Sequence, residues 1–258
     1  MSSIKIASYN VNGIRAAYRK GFMDWLEKSN PDILCLQEMR ASSDQIPTQI
    51  REAGYFEVHH VAEKKGYSGV SIYSRNEPDV IEVGMGTDWI DQEGRVCCIE
   101  VNGITVFSVY APSGTTGDLR QDVKMRFLDA FYAFASKKLW EGKAVLFCGD
   151  FNICHEEIDI HNPKQNKNTS GFLKEERDWV TSFLDLGYED VFRKLHHGEP
   201  DLYSWWTYRA GAKAKNKGWR IDYHLATPAL AEKATEATIE KEWDLSDHAP
   251  VSIIYDLG

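Results

Sequence analysis

Acidic and amide side chains recur at one kind of position in this chain, directly after a short apolar run. Asn10 follows a run ending at Tyr9, and Glu38 follows Ile33-Leu34-Cys35-Leu36-Gln37. Asp150 follows Cys148-Gly149, Asp222 follows Trp219-Arg220-Ile221, and Asp247-His248 stands just ahead of the last apolar run. Any one Asn or Asp after a strand reads as a turn former. Five such sites in one chain ask for more, and Glu38 is no turn former at all: an ionised carboxylate at a core edge needs a cation or hydrogen-bond donors. Oxygen neighbours suit magnesium, which takes one or two carboxylates and keeps several waters. Asp150 and Asn152 lie two apart on an extended segment, so both face one side and share one water, with Asp150 as its base. His248 can donate to an anionic oxygen if a carboxylate fixes its other ring nitrogen, and Asp222 is the candidate. These parts answer the needs of phosphodiester hydrolysis: an activated water in line, charge compensation on the non-bridging oxygens, and help for the leaving oxygen. Ser246 reads as a turn hydroxyl rather than a nucleophile, because no Gly-x-Ser-x-Gly elbow surrounds it.

Positioning such groups requires rigid strands. Periodicity predicts them at 4–9, 33–36, 69–73, 96–101, 104–110, 144–148, 220–225 and 250–255, with helices at 21–28, 45–53, 118–139 and 174–186. Glu175 and Glu176 open the last helix with acids in its first turn. Asn102-Gly103 between two strands reads as a hairpin with a primed turn. Strands and helices alternate only loosely, so the expected fold class is α/β with mixed or antiparallel sheets covered by helices rather than a doubly wound parallel sheet. No repeat, low-complexity segment or linker is evident, and 161–170 reads as a surface loop.

At 258 residues the expectation is a single catalytic domain, 1–258. Composition is that of a folded globular chain, 43% hydrophobic and 27% charged. The absence of a long apolar run or leader-like start predicts a soluble protein with no membrane partner, and a bacterial cytoplasmic, nucleoid-associated setting is expected. Nothing suggests a heptad seam, so a monomer is expected. Five cysteines form no CxxC pair and are expected as reduced structural thiols. The net charge of −9 argues at first sight against a polyanionic substrate. Yet from Tyr208 to Arg220 there are five basic residues, Arg209, Lys213, Lys215, Lys217 and Arg220, and no acid. That asymmetry suits an enzyme that binds phosphate and a cation together.

In order along the chain, Tyr9-Asn10-Val11-Asn12-Gly13-Ile14-Arg15, Leu36-Gln37-Glu38, Gly66-Tyr67-Ser68-Gly69-Val70, Asp91-Gln92-Glu93-Gly94-Arg95, Gly149-Asp150-Phe151-Asn152, Gly218-Trp219-Arg220-Ile221-Asp222-Tyr223 and Ser246-Asp247-His248-Ala249-Pro250 complete a pattern. With these blocks the sequence resembles the exonuclease III family of abasic-site endonucleases, within the endonuclease, exonuclease and phosphatase superfamily. The resemblance implies a DNase I-like, four-layer α/β sandwich: two mixed β-sheets flanked by helices. It implies Glu38 as the principal metal ligand, with Asn10, Asn12 and Asp247 near the cation and Asp150 and Asn152 completing the metal side. Mg²⁺ is the implied cofactor, with Mn²⁺ as a substitute.

The same resemblance has Asp150 activate the attacking water while Asn152 positions it. Tyr110 contacts the scissile phosphate or helps the leaving oxygen, and His248 with Asp222 stabilises developing charge. The implied partner is double-stranded DNA with an abasic site or a blocked 3′ end. The baseless sugar turns out into a small apolar pocket at Trp205, Trp219 and Ile221. Arg209, with Tyr208 beside it, enters a groove; Asn166 lies on a DNA-binding loop; Arg75 and Tyr67 lie in segments set against the backbone. Lys213, Lys215 and Lys217 are expected to contact phosphates. Trp206 and its neighbours also admit a simple reading as core aromatics.

The sequence departs from the family at four places. Asn12 stands where some members carry Asp, Ser113 and Thr169 where Asn is frequent, and Trp205 where Phe is common. These departures leave open the balance among abasic-site incision, 3′-phosphodiesterase, 3′-phosphatase and 3′ to 5′ exonuclease activity. An inositol-phosphate or sphingolipid hydrolase shares the Asp150-Phe151-Asn152 and Asp247-His248 elements, but the Trp-rich block before Asp222 argues against it. A protein that holds damaged DNA without cutting it would not need Glu38, Asp150 and His248 together.

Overall fold

The computed structural model describes residues 3–258. Twelve strands form two sheets: β1 (Ser3–Asn10), β2 (Ile33–Gln37), β3 (Phe56–His60), β4 (Val70–Ser74), β5 (Val80–Val83), β6 (Val96–Val101), β7 (Ile104–Tyr110), β8 (Ala144–Asp150), β9 (Glu189–Asp190), β10 (Asp222–Ala226), β11 (Ala234–Ile239) and β12 (Val251–Asp256). One sheet runs β11-β12-β1-β2-β4-β3 and the other β5-β6-β7-β8-β10-β9. Each is antiparallel except for one parallel pair, β1 with β2 and β7 with β8. The sheets are therefore mixed, as the sequence led us to expect, and the architecture is a helix–sheet–sheet–helix sandwich.

The near-continuous apolar runs follow from burial of both faces of the central strands. Along β1, Ile4 and Ile6 enter the core between the sheets, whereas Ala7 and Tyr9 face the helical layer with Trp25 and Leu26. Strand β8 does the same on the other side: Leu146 and Cys148 point between the sheets, Val145 and Phe147 toward the helices Asp118–Trp140 and Lys174–Asp185. Phe131 centres that outer layer, with ring centroids of Phe147, Phe151 and Phe183 at 5.1, 5.6 and 5.7 Å. All five cysteines are buried and free. The Asn102-Gly103 hairpin forms with both residues at positive φ, as a primed turn demands.

Two expectations need correction. The helix predicted over 45–53 is broken: a 3₁₀ turn covers Ser43–Gln45, a short helix covers Gln49–Glu52, and Ile46 between them is extended at φ −75°, ψ 129°. Pro47 is the cause, since its ring disfavours helical backbone in the preceding residue. The segment 161–170 is not a plain loop but contains the helix Pro163–Asn166, with proline at its start. No helix among the described residues is long and apolar enough to cross a membrane.

Beneath the segment that leads into β10 lies a buried charge cluster. Arg220 donates from Nε to Asp159 at 2.7 Å and from its terminal nitrogen to Asp190 at 2.7 Å, and Arg193 reaches the same Asp159 oxygen at 2.6 Å. Burial alone would raise the Asp159 carboxyl, but Arg220 and Arg193 hold it down at about 2. With an unfolded value near 3.9, this carboxylate contributes about 2–3 kcal/mol at about pH 5 and above, and that contribution is lost as pH falls from about 5 through 2. Urea midpoints of the parent and Asp159→Asn should therefore differ by a stability gap that is full at pH 5 and narrows toward pH 2. A gap constant across that range would contradict this account.

Candidate active site

Both parallel strand pairs end at one edge of the sandwich. Asn10 closes β1 beside Gln37 of β2, Tyr110 closes β7 beside Asp150 of β8, and Asp222 opens β10 opposite Asp150. The chain then turns sharply. Asn12, Glu38 and Asn152 all have left-handed backbone, at φ 45°, 56° and 56°. Such a conformation suits Asn but costs a residue like Glu about 1–2 kcal/mol, so surrounding bonds must hold it. Gly13 and Ile14 donate their N–H groups to the carbonyls of Glu38 and Met39 at 2.8 and 3.0 Å. Gly149 is required in β8 because a Cβ there would lie 1.9 Å from the Val109 carbonyl oxygen.

A cavity of about 620 Å³ opens at this edge. Its walls include Asn12, Glu38, Tyr110, Asp150, Asn152, Asp247 and His248 on one side and Trp205, Trp219 and Ile221 on another. Asp150, 1% exposed, accepts from Asn10 Nδ2 at 2.9 Å and from the Asn152 backbone and side chain at 2.8 and 3.3 Å. His248 Nε2 lies 3.7 Å from Asp150, and its Nδ1 faces Asp222 at 3.0 Å. This is a chain of acid, imidazole and acid.

Burial pushes the Asp150 carboxyl up to about 7 against the pull of His248. Burial opposes a charge on His248, but Asp222 and then Asp150 overcome it and raise the ring to about 10. The imidazole is therefore cationic at neutral pH, oriented by Asp222, with Nε2 facing Asp150. Burial also lifts the Tyr110 hydroxyl well above its ordinary value, and Glu38 and Asp150 add to that, so the phenol stays protonated.

The carboxylate of Asp247 is held on both oxygens. Asn12 Nδ2 and Ser246 Oγ donate to Oδ1 at 2.8 and 3.2 Å, and the Trp205 indole N–H donates to Oδ2 at 3.0 Å. Burial works against its charge, yet His248, Trp205 and Asn12 together hold its pKa below the usual range. Glu38 pairs with Arg40. Glu38, Asp150 and Asp247, with the amides of Asn10, Asn12 and Asn152, form an all-oxygen donor set, which fits a hard divalent cation. Asp150, Asp222 and His248 also offer ligand atoms within 4.8 Å of one another. Asp150 is common to both groups.

Tyr67, Ser113 and Thr169, singled out in the sequence, line the cavity, and they bring with them residues the sequence did not assign. The Tyr67 hydroxyl accepts from Arg95 at 3.0 Å and Arg120 at 2.9 Å, and all three line the cavity together with Ser113, Thr115, Thr116, Thr169 and Ser170. Arg95 lies in a quoted motif without an assigned role, and Arg120 carries no sequence signal. Ser204, fully buried, donates to Asp222 at 2.6 Å and accepts from the N–H groups of Ile221 and Asp222 at 3.2 and 3.3 Å.

Other expected contacts fall outside the cavity walls. Tyr208 and Arg209 are exposed, and Asn166 uses its amide on the His161 and Asn162 carbonyls. Arg75 lies away from the cavity edge. It follows Ser74, which pairs with Ile33 at the far end of β2, about 13 Å from the Gln37 end. Its guanidinium is engaged with Ala53, Asn30 and the Tyr55 ring. Lys213 is held by the Trp243 carbonyl at 2.8 Å and by Asp244, and the exposed Lys215 donates to the Ala210 carbonyl at 2.9 Å. Trp206 is a core aromatic, packed with Tyr203, Ala212 and Ala249.

Comparison with known proteins matches residues 7–248 to the endonuclease/exonuclease/phosphatase family. An exodeoxyribonuclease of Bacillus subtilis (strain 168) is 40% identical over 255 residues, covering 98% of this chain and all of that protein. An AP endonuclease from Archaeoglobus fulgidus superposes with a TM-score of 0.90 at 32% identity, covering 98% of this chain and 100% of that one. A 3′ phosphatase, NExo, from Neisseria, bound to a product DNA hairpin, gives 0.91 at 29% identity, covering 98% and 99%.

Ser204→Ala should destabilise the protein by about 1–3 kcal/mol in chemical denaturation, because it strands two buried N–H groups and one carboxylate bond. A loss below about 0.5 kcal/mol would show that Ser204 is dispensable to the Asp222 corner.

Proposed function

Because the chain belongs to the endonuclease/exonuclease/phosphatase family, in its exonuclease III branch of DNA repair phosphodiester hydrolases, we propose that it incises duplex DNA at abasic sites. The cut phosphodiester lies 5′ to the lesion, leaving a 3′-hydroxyl and a 5′-deoxyribose phosphate, with magnesium as cofactor. One observation carries this reading: Asp150 and His248 of the acid–imidazole–acid chain share one cavity with an aromatic pocket of two tryptophans and an isoleucine.

In this reading the sugar without a base enters between Trp205, Trp219 and Ile221, where a full nucleotide would not fit. Asp150 takes a proton from the attacking water, whose oxygen bonds to phosphorus as the bond to the 3′-oxygen breaks. A carboxyl raised to about 7 is matched to that task near neutral pH. Asn152 and Asn10 hold Asp150 in place, and the protonated His248 donates to a non-bridging oxygen as its charge grows. The protonated Tyr110 hydroxyl is assigned to contact the scissile phosphate or to supply the proton that the leaving 3′-oxygen takes up. Mg²⁺, with Mn²⁺ as a substitute, would be held by Glu38 with Asn10, Asn12 and Asp247 beside it and would compensate phosphate charge. Arg95, Arg120 and Tyr67 are suited to a flanking phosphate, and Arg209, Tyr208 and Asn166 are assigned to the duplex beyond the cavity.

Removal of blocked 3′ ends is the second reading, favoured by the likeness to the Neisseria 3′ phosphatase. Rates on abasic, 3′-blocked and undamaged duplexes at one magnesium and salt concentration rank the two.

A duplex with one abasic analogue should be cut 5′ to the lesion in Mg²⁺ and left intact after chelation; an intact duplex in Mg²⁺ would sink the proposal. Asp150→Asn should lower kcat by about 10²–10⁴-fold while duplex binding is kept. Trp205→Phe keeps the pocket wall but frees an Asp247 oxygen, and should lower kcat/KM by about tenfold, the cost of one lost hydrogen bond to a charged group.

A further inference from the structure

Outside the cavity lies a charge pair that the reaction above does not use. Lys124 in the helix Asp118–Trp140 and Glu176 in the first turn of Lys174–Asp185 have fully buried side chains, each 0% exposed. Withdrawing two charges from water is costly, and well-packed apolar residues of similar volume often stabilise a protein as well or better. Fold stability is therefore a weak reason for this pair.

Its hydrogen bonds point elsewhere. Lys124 Nζ donates to the Asn152 main-chain oxygen at 2.8 Å as well as to Glu176 Oε1. Glu176 Oε2 accepts from the N–H groups of Gly171 and Leu173 at 2.6 and 3.0 Å, and its Oε1 accepts from Gln121 at 3.0 Å. Gln121 in turn accepts from the Ser170 hydroxyl at 2.7 Å. The outer ends of this net are cavity walls. Asn152 and Ser170 line the cavity directly. Gly171 lies against the Trp219 ring so closely that a Cβ would come within 2.7 Å of Cζ3, and 3.1 Å from the Asn152 oxygen.

Asn152 has the left-handed backbone noted above, and its main-chain groups are held on both sides of that turn. Its N–H is fixed by Asp150, and its carbonyl by Lys124. We propose that the Lys124–Glu176 pair is a positioning element: from behind the cavity it fixes the turn at Asn152 and the loop that backs Trp219. The aim of the Asn152 amide and the seat of the sugar are thereby set by one buried contact. This inference rests on Asn152 and Trp219 belonging to the working site.

The test is the double substitution Lys124→Met with Glu176→Gln, which removes both charges and leaves an acceptor for Gly171 and Leu173. Melting is expected within about 4 °C of the parent. On the abasic duplex, kcat should fall about tenfold to a hundredfold, as for a misplacement of about 1 Å, with KM changed less than about threefold. The Asn152 amide and Trp219 indole signals in ¹H–¹⁵N spectra should be displaced. Lys124→Arg, which keeps charge and donors, should restore most of kcat. A folded double variant with parental kcat and unmoved signals overturns the proposal. If that variant does not fold, Gln121→Leu replaces it. It keeps the ion pair and removes the Gln121 link to Ser170, leaving only the 3.5 Å contact of Ser170 with Glu176, so a displaced Trp219 indole signal is expected, and an unmoved one overturns the proposal. Were the parent inactive on abasic DNA, the assigned function would fail, while the two resonances would still report on positioning.

Discussion

A carboxylate cannot stay buried between two sheets unless donors reach it from both, and Asp150 meets that condition. It ends a strand of one sheet, and its bond from Asn10 comes from the other. His248 arrives from the segment before β12, and the Asn152 N–H from the turn that Asp150 itself begins. The meeting of the two sheets at this edge and the left-handed turns just past the strand ends serve that one group. Polar contacts further in continue the seam: Gln37 of one sheet donates to Ser108 of the other at 3.0 Å, and Ser108 to the Leu36 carbonyl at 3.0 Å. The sheets are thus locked in register where chemistry needs them, and packed by apolar side chains elsewhere.

The two departures from the family pattern nearest the cation side have a common effect. Asn12 and Trp205 are far apart in sequence, yet both donate to Asp247, one to each oxygen. An Asp at position 12 could not donate and would repel that carboxylate. A Phe at 205 would leave its second oxygen unpaired. Asn12 replaces a negative charge and Trp205 an apolar ring with a hydrogen-bond donor to a single acid, which is consistent with the lowered pKa there. It also joins the pocket wall to the cation side through one bond.

Legibility in the sequence followed burial. Strands buried on both faces, such as β1, β2, β7 and β8, stood out as apolar runs. The four strands that periodicity did not single out, β3, β5, β9 and β11, are the four edge strands of the two sheets. Edges carry charge and polarity that weaken the pattern, as in the Glu236-bearing β11 or the wholly exposed β5. In the site, the strand-end acids were legible because carboxylates after apolar runs demand an explanation. Ser204 and Arg120 were not, since a lone hydroxyl or guanidinium declares its partner only in three dimensions. Arg75 shows the opposite case: a basic residue near a recognisable motif sits at the strand end away from the cavity.

Strand order also sets a schedule. Strand β1 lies between β2 and β12, and β12 begins at Val251. His248 and Asp247 belong to the stretch leading into it. A growing chain can build most of the second sheet, through β10, before this stretch exists, but the first sheet stays open along β1 until the last strand docks. Pairings across so long a separation form slowly. Closing that gap delivers the imidazole to its two carboxylates, so completion of the core and assembly of the acid–imidazole–acid chain are the same event in the life of the molecule.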